Sequence, residues 1–167
     1  MLRTIEFLSL SLWLGADVFL SFVVAPGAFS VLPSRDAAGA IVGYALTRMH
    51  IGGILCGIIF LLVRLLRSGF LLFHGSHPER SDGSLFASPA VACVVLMIAL
   101  TTISQAFVSP RMAALRLQMG SIEATAPGSP LVAAFARLHR VSVSFESAVL
   151  LAGIAAMYLL VRESSHA

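Results

Sequence analysis

The sequence predicts an all-α fold, a polytopic membrane protein built as a four-helix transmembrane bundle. Three observations predict it. Of the 167 residues, 58% are hydrophobic and 11% are charged, against about 25% charged in an ordinary soluble domain. Mean hydropathy is +0.95. The apolar residues also gather into four runs, and about 20 helical residues cross the hydrocarbon of a bilayer. A soluble fold of this length could not hide so much apolar surface. In lipid only helices and closed barrels satisfy their own backbone, and runs this long exclude barrel strands. The chain is read as one transmembrane domain, 1–167, with spans at about 5–31, 44–66, 86–108 and 141–161.

The first span, 5–31, ends around Pro26-Gly27 and Pro33. Arg3 before an apolar stretch, with Ala25-Pro26-Gly27-Ala28 after it, has the outline of a signal peptide. The stretch is too long for one, and Asp17 interrupts it, so a retained helix is expected. In the second span the uninterrupted apolar core is only 51–63, about 20 Å of helix. To cross, it must extend back through Arg48, Thr47 and Tyr44, which draws Arg48 and His50 toward the membrane interface. Ser34 can cap this longer helix, with Asp36 in its first turn. The third span enters through Ser88-Pro89 and closes at Pro110. The fourth, 141–161, ends at Arg162-Glu163. Connector 109–140 holds two short helical pieces, 110–119 and 130–140. Loop 68–85 carries His74, His77, Glu79 and Asp82, read as a solvated turn rather than a metal site.

Charge excludes some functions. The 11 basic residues are all Arg, the net charge is +3, and no cluster of five or more exists, so nucleic acid is not expected as a partner. Cys56 and Cys93 lie in apolar runs without metal-ligand spacing and read as buried small hydrophobes. No Ser-His-Asp, P-loop, HExxH or GxSxG pattern appears, and no enzyme activity is expected. The arginines divide five against six between the two sides, which decides no orientation. Several of the six are candidate site residues, so both termini are expected in the cytoplasm, in an inner or plasma membrane.

The chain echoes itself. Phe22-Val23-Val24-Ala25-Pro26 resembles Phe107-Val108-Ser109-Pro110, Arg48-Met49-His50 resembles Arg137-Leu138-His139, and Phe60–Arg64 resembles Tyr158–Arg162. Spacings between the matches differ, and the third is of low complexity. A duplicated hairpin would be a parallel repeat. It would place His50 and His139 at equivalent depths on diagonal helices.

Ionisable groups at membrane depth are expensive to bury and mark function by default. On the first helix Glu6, Leu10, Trp13, Asp17, Ser21 and Val24 share a stripe. On the fourth, His139, Val143, Glu146, Leu150, Gly153 and Met157 share another, with Ser142 at its edge. On the third, Thr101, Gln105 and Ser109 align. The expected substrate or ion pocket therefore comprises Asp17, Arg48, His50, Gln105, Arg111, His139, Ser142 and Glu146, in one half of the bundle. Against this stand snorkelling arginines and acids that merely hydrogen-bond neighbouring helices.

Residues Arg137-Leu138-His139-Arg140-Val141-Ser142, Ser109-Pro110-Arg111-Met112, Trp13-Leu14-Gly15 and Val24-Ala25-Pro26 together resemble the transmembrane protein 205 family. That family carries a domain of unknown function, and the resemblance covers about residues 5–162. It implies about four spans and no established enzyme activity. The family typically has an amide where Glu146 stands and an apolar residue where Asp17 stands. The layout is also similar, at fold level only, to the copper-resistance-D superfamily, some members of which handle metals or haem.

Three functional readings follow. The first is small-solute or ion handling through the polar pocket, with Asp17 or Glu146 titrating and no cofactor. The second is haem b or transition-metal binding by His50 and His139. The third is a non-catalytic accessory subunit. The expected partners are the lipid bilayer, a small solute or ion, and a second copy or another membrane protein.

Overall fold

The computed structural model describes residues 1–73, 88–126 and 128–165. Among the described residues all regular structure is helical. There are four long helices: α1 (Leu2–Val31), α2 (Arg35–Phe73), α3 (Pro89–Met119) and α4 (Pro130–Ser165). The protein is an integral membrane protein. His74, His77, Glu79 and Asp82 lie outside the described residues.

All four helices are long and apolar enough to cross a bilayer, and three extend well past the expected spans. The pieces at 110–119 and 130–140 are the continuations of α3 and α4 rather than separate connector helices. Pro110 does not close α3. A proline ring clashes with the carbonyl four residues back and offers no N–H. Here a π-helical turn at Ser104–Val108 precedes it, and α-helix resumes at Ser109. Such wide turns take up one extra residue inside a helix. The same device recurs in α1, where a π turn at Leu20–Val24 precedes Pro26. In both helices the wide turn ends two residues before the proline, in keeping with the echo between the hairpins.

The caps follow from the sequence. Ser34 Oγ accepts the Ala37 amide at 3.1 Å. Asp36 reaches across the chain, accepting from Ser121 Oγ at 2.6 Å and the Ile122 amide at 3.0 Å. That ties the α3–α4 connector to the start of α2. Gly120, at φ 70°, ends α3, with its amide on the Arg116 carbonyl at 3.0 Å. That left-handed backbone favours glycine.

Each hairpin packs closely within itself, α1 on α2 and α3 on α4, and α2–α3 and α1–α4 contacts complete the ring. Lipid is as apolar as leucine, so close backbone approach must hold such helices together. Trp13 supplies one such contact. A Cβ added to Gly53 would lie 2.3 Å from its Nε1, and one on Gly57 would lie 2.7 Å from the same ring. The indole fits a notch that only glycine leaves open. Around it Leu10, Phe60, Val94, Met97, Val149 and Ala156 form the core. Leu8, Leu12, Phe19, Ile58, Leu62 and Leu151 are exposed on the outside, where lipid lies.

The expected stripe on α1 holds as far as Asp17, beyond which Ser21 is exposed and Val24 half-buried, and the stripes on the other helices shift. Glu6, Ser9, Leu10, Trp13 and Asp17 are buried. Toward the end of α3 the buried residues are Thr101, Ser104 and Val108, the i, i+3, i+7 face beside the expected line. On α4 it is Ser142, Val149, Ala152, Gly153, Ala156 and Leu160.

Candidate functional site

His50 is the centre of the site. It is fully buried, although the sequence placed it near the interface. Its Nδ1 lies 3.0 Å from Gln105 Oε1 on α3, and its Nε2 lies 2.6 Å from Glu146 Oε1 on α4. The amide oxygen can only accept, so Nδ1 carries a hydrogen. The Nε2–Glu146 contact then holds one further proton, as imidazolium with carboxylate or as imidazole with carboxylic acid. Glu146 Oε2 is buried with no partner.

Asp17 joins this group from α1. It is 1% exposed, takes a long hydrogen bond from Ser21 Oγ at 3.4 Å, and leaves Oδ2 buried and unpartnered. It lies within electrostatic reach of both Glu146 and His50. Four helices therefore converge on one proton-bearing cluster.

Through Glu146 the cluster meets a cavity of about 570 Å³. Leu20, Leu46, Leu150 and Glu146 line its inner part, and Thr47, Ser142 and His139 lie along its walls. At its outer end stands Arg116, a residue the sequence reading passed over. Its guanidinium lies against Gly39, where a Cβ would come within 2.5 Å of Nη2, and 5.3 Å from the Phe135 ring. Gly39 and Gly43 leave a bare face that receives this long side chain, but nothing in the sequence pairs that face with Arg116.

The repeat implied that His50 and His139 sit at one depth, and this is corrected. His50 bonds Glu146, seven residues or about 10 Å of helix beyond His139, and His139 is exposed on the cavity wall. With both ring nitrogens of His50 engaged, it offers no free atom to a metal shared with His139. No group of three or more His, Cys, Asp or Glu that could hold a metal ion occurs among the described residues. Arg48 and Arg111 are exposed, and Arg48 lies over Tyr44 at 5.1 Å. They belong to the interfacial fringe rather than to this cluster.

A second polar cluster, missed by the sequence reading, ties the opposite end together. Glu6, fully buried, accepts from Arg67 at 2.9 Å and pairs with Arg64 at 3.5 Å. Arg64 also bonds Ser88 Oγ at 2.9 Å and pairs with Glu163. Ser88 donates to Glu163 at 2.9 Å. These charges lie near helix ends, which made them look like a solvated fringe.

A family model described as "Domain of unknown function (DUF4149)" matches residues 8–121. The chain belongs to the DUF4149 family. The matched DUF4149 region holds Asp17, His50 and Gln105, while Glu146 falls beyond it. No curated protein matches the chain, and no solved structure does.

Proposed function

We propose that the protein handles a small solute or ion through the cavity, with its passage coupled to protons held by Asp17, His50 and Glu146. The observation that carries this reading is the convergence of three titratable side chains from three helices, one of which, Glu146, lines the cavity. Burying such groups is costly in lipid, where a purely structural role is met more cheaply by apolar packing. The shared proton between His50 and Glu146, and the unpartnered oxygens of both acids, supply places where a proton can be taken up or released. No covalent step is part of this reading. The family match, to a domain of unknown function, adds no activity to it.

On this reading both termini lie in the cytoplasm of a cell bounded by an inner or plasma membrane, and the cavity opens on the far side. The test uses proteoliposomes loaded with a pH-sensitive dye and challenged with a panel of cations and small organic solutes. At least one solute should drive a pH change in the wild type, and Asp17→Asn and Glu146→Gln should abolish it with melting temperatures preserved. No solute-driven change across the panel, or the same change in both variants, would overturn the reading.

A further inference from the structure

The cavity changes character along its length, and the change matches the layers of a bilayer. Arg140 and Arg162 on α4 are 22 residues apart, about 33 Å of helix, close to the hydrocarbon thickness. Arg140 on α4 and Arg111 on α3 therefore mark one edge of the hydrocarbon. Glu146 lies about 9 Å inside that edge and Arg116 about 7.5 Å outside it. One cavity thus runs from headgroup level into the apolar layer.

The cavity is also open sideways. Phe22 and Val143, from α1 and α4, line it and are nevertheless 66% and 50% exposed. The cause lies in the packing. α1 packs on α4 along Leu2–Phe19, whereas Ala25–Val31, beyond the wide turn, packs on α2. The outer half of α1 leans away from α4, and the gap faces lipid.

Arg116 stands at the head of this gap, with Asp36 as an acidic neighbour but not a direct partner. It forms no ion pair among the described residues, and its Nε is buried without a hydrogen-bond partner. Asp36, its acidic neighbour, is committed to Ser121 and Ile122. A guanidinium held over an aromatic ring in a mainly apolar cavity is suited to a phosphate or carboxylate.

We propose that the cavity takes a single-chain amphipathic anion from the bilayer, its phosphate or carboxylate head on Arg116 and its chain leaving between Phe22 and Val143. The volume lies in the range of about 300–1,000 Å³ usual for small-molecule sites and suits a head with the first part of one chain. The proposal rests on the cavity being a solute site, and not on proton coupling.

The test is native mass spectrometry of the full chain in a neutral detergent, titrated with dodecyl phosphate, dodecylphosphocholine or inorganic phosphate. Dodecyl phosphate should form a one-to-one adduct. Arg116→Gln should weaken it about tenfold or more, the loss expected for a charge-assisted contact. Gly39→Ala should weaken it by displacing the guanidinium, and Arg111→Gln should leave it unchanged. Equal adducts in wild type, Arg116→Gln and Gly39→Ala would overturn the proposal, as would equal retention of dodecylphosphocholine. Inorganic phosphate bound as tightly, and through Arg116, would place a free anion there and overturn the amphipath. Failure of proton coupling would show in the pH record with the adduct intact. Failure of this assignment would remove the Arg116 dependence with the pH record intact.

Discussion

His50 holds two helices to its own through one imidazole ring, so its removal acts on both. His50→Ala leaves Glu146 and Gln105 without their partner at a buried site, which costs about 1–3 kcal/mol per orphaned group. The melting temperature in detergent should fall clearly. Glu146→Gln keeps an acceptor oxygen opposite Nε2 and should leave the melting temperature nearly unchanged. A larger loss in Glu146→Gln than in His50→Ala would show that the carboxylate has a partner beyond His50. The glycines give a sharper contrast. Gly53→Ala drives a methyl into the Trp13 ring and should cost about 1–3 kcal/mol, the usual penalty of overpacking. Gly15→Ala meets nothing within 4 Å and should be neutral or stabilising, as alanine is the better helix former by about 1 kcal/mol. Melting curves of the two variants decide it. Asp17 and Glu146 could be picked out in the sequence because an acid in an apolar run is conspicuous. Arg116 could not, because it lies in a polar stretch where a cation is ordinary and only the fold brings it against Gly39.

At the scale of the element, the wide turns show what sequence periodicity can and cannot see. Pro26 and Pro110 read as helix ends, since an interior proline normally breaks the ladder. Both are instead carried inside continuous helices by the preceding π turns. The buried line Thr101, Ser104, Val108 keeps the i, i+3, i+7 spacing of one ordinary helix face, so periodicity alone gives no sign of the extra residue. Beyond Val108, α3 contributes no buried residue, which makes its last turns separable from the core. Inserting one alanine between Met112 and Ala113 turns the remainder of α3 by about 100°. Arg116 should then leave Gly39, and the dodecyl phosphate adduct should be lost with little change in melting. An adduct of unchanged strength would mean that another cation holds the head.

For the whole molecule, four spans and their order were legible from hydropathy, because the bilayer sets a length that a sequence either meets or misses. The two polar clusters were only half legible. Depth was readable, but which charges meet depends on helix rotation, which hydropathy does not encode. The cluster of Glu6, Arg64, Arg67 and Glu163 makes a testable claim about cohesion. Arg64→Met leaves Glu6 buried with Arg67 alone, and breaking a buried pair costs about 3 kcal/mol or more. Arg64→Met with Glu6→Leu should recover most of that loss, since well-packed apolar residues can replace a buried pair. Failure to recover would show that Glu163 and Ser88 depend on Arg64 independently of Glu6. Raising ionic strength should leave the wild-type melting point nearly unchanged, because buried pairs are little screened. Trp13 adds a last consequence. It is the chain's single tryptophan and is 2% exposed, so the protein carries one intrinsic fluorophore, sealed in the middle of the bundle. Its emission should be blue-shifted and resistant to acrylamide quenching. Any rearrangement that parts α1 from α2 should redden it, giving an optical readout of the bundle without an added label.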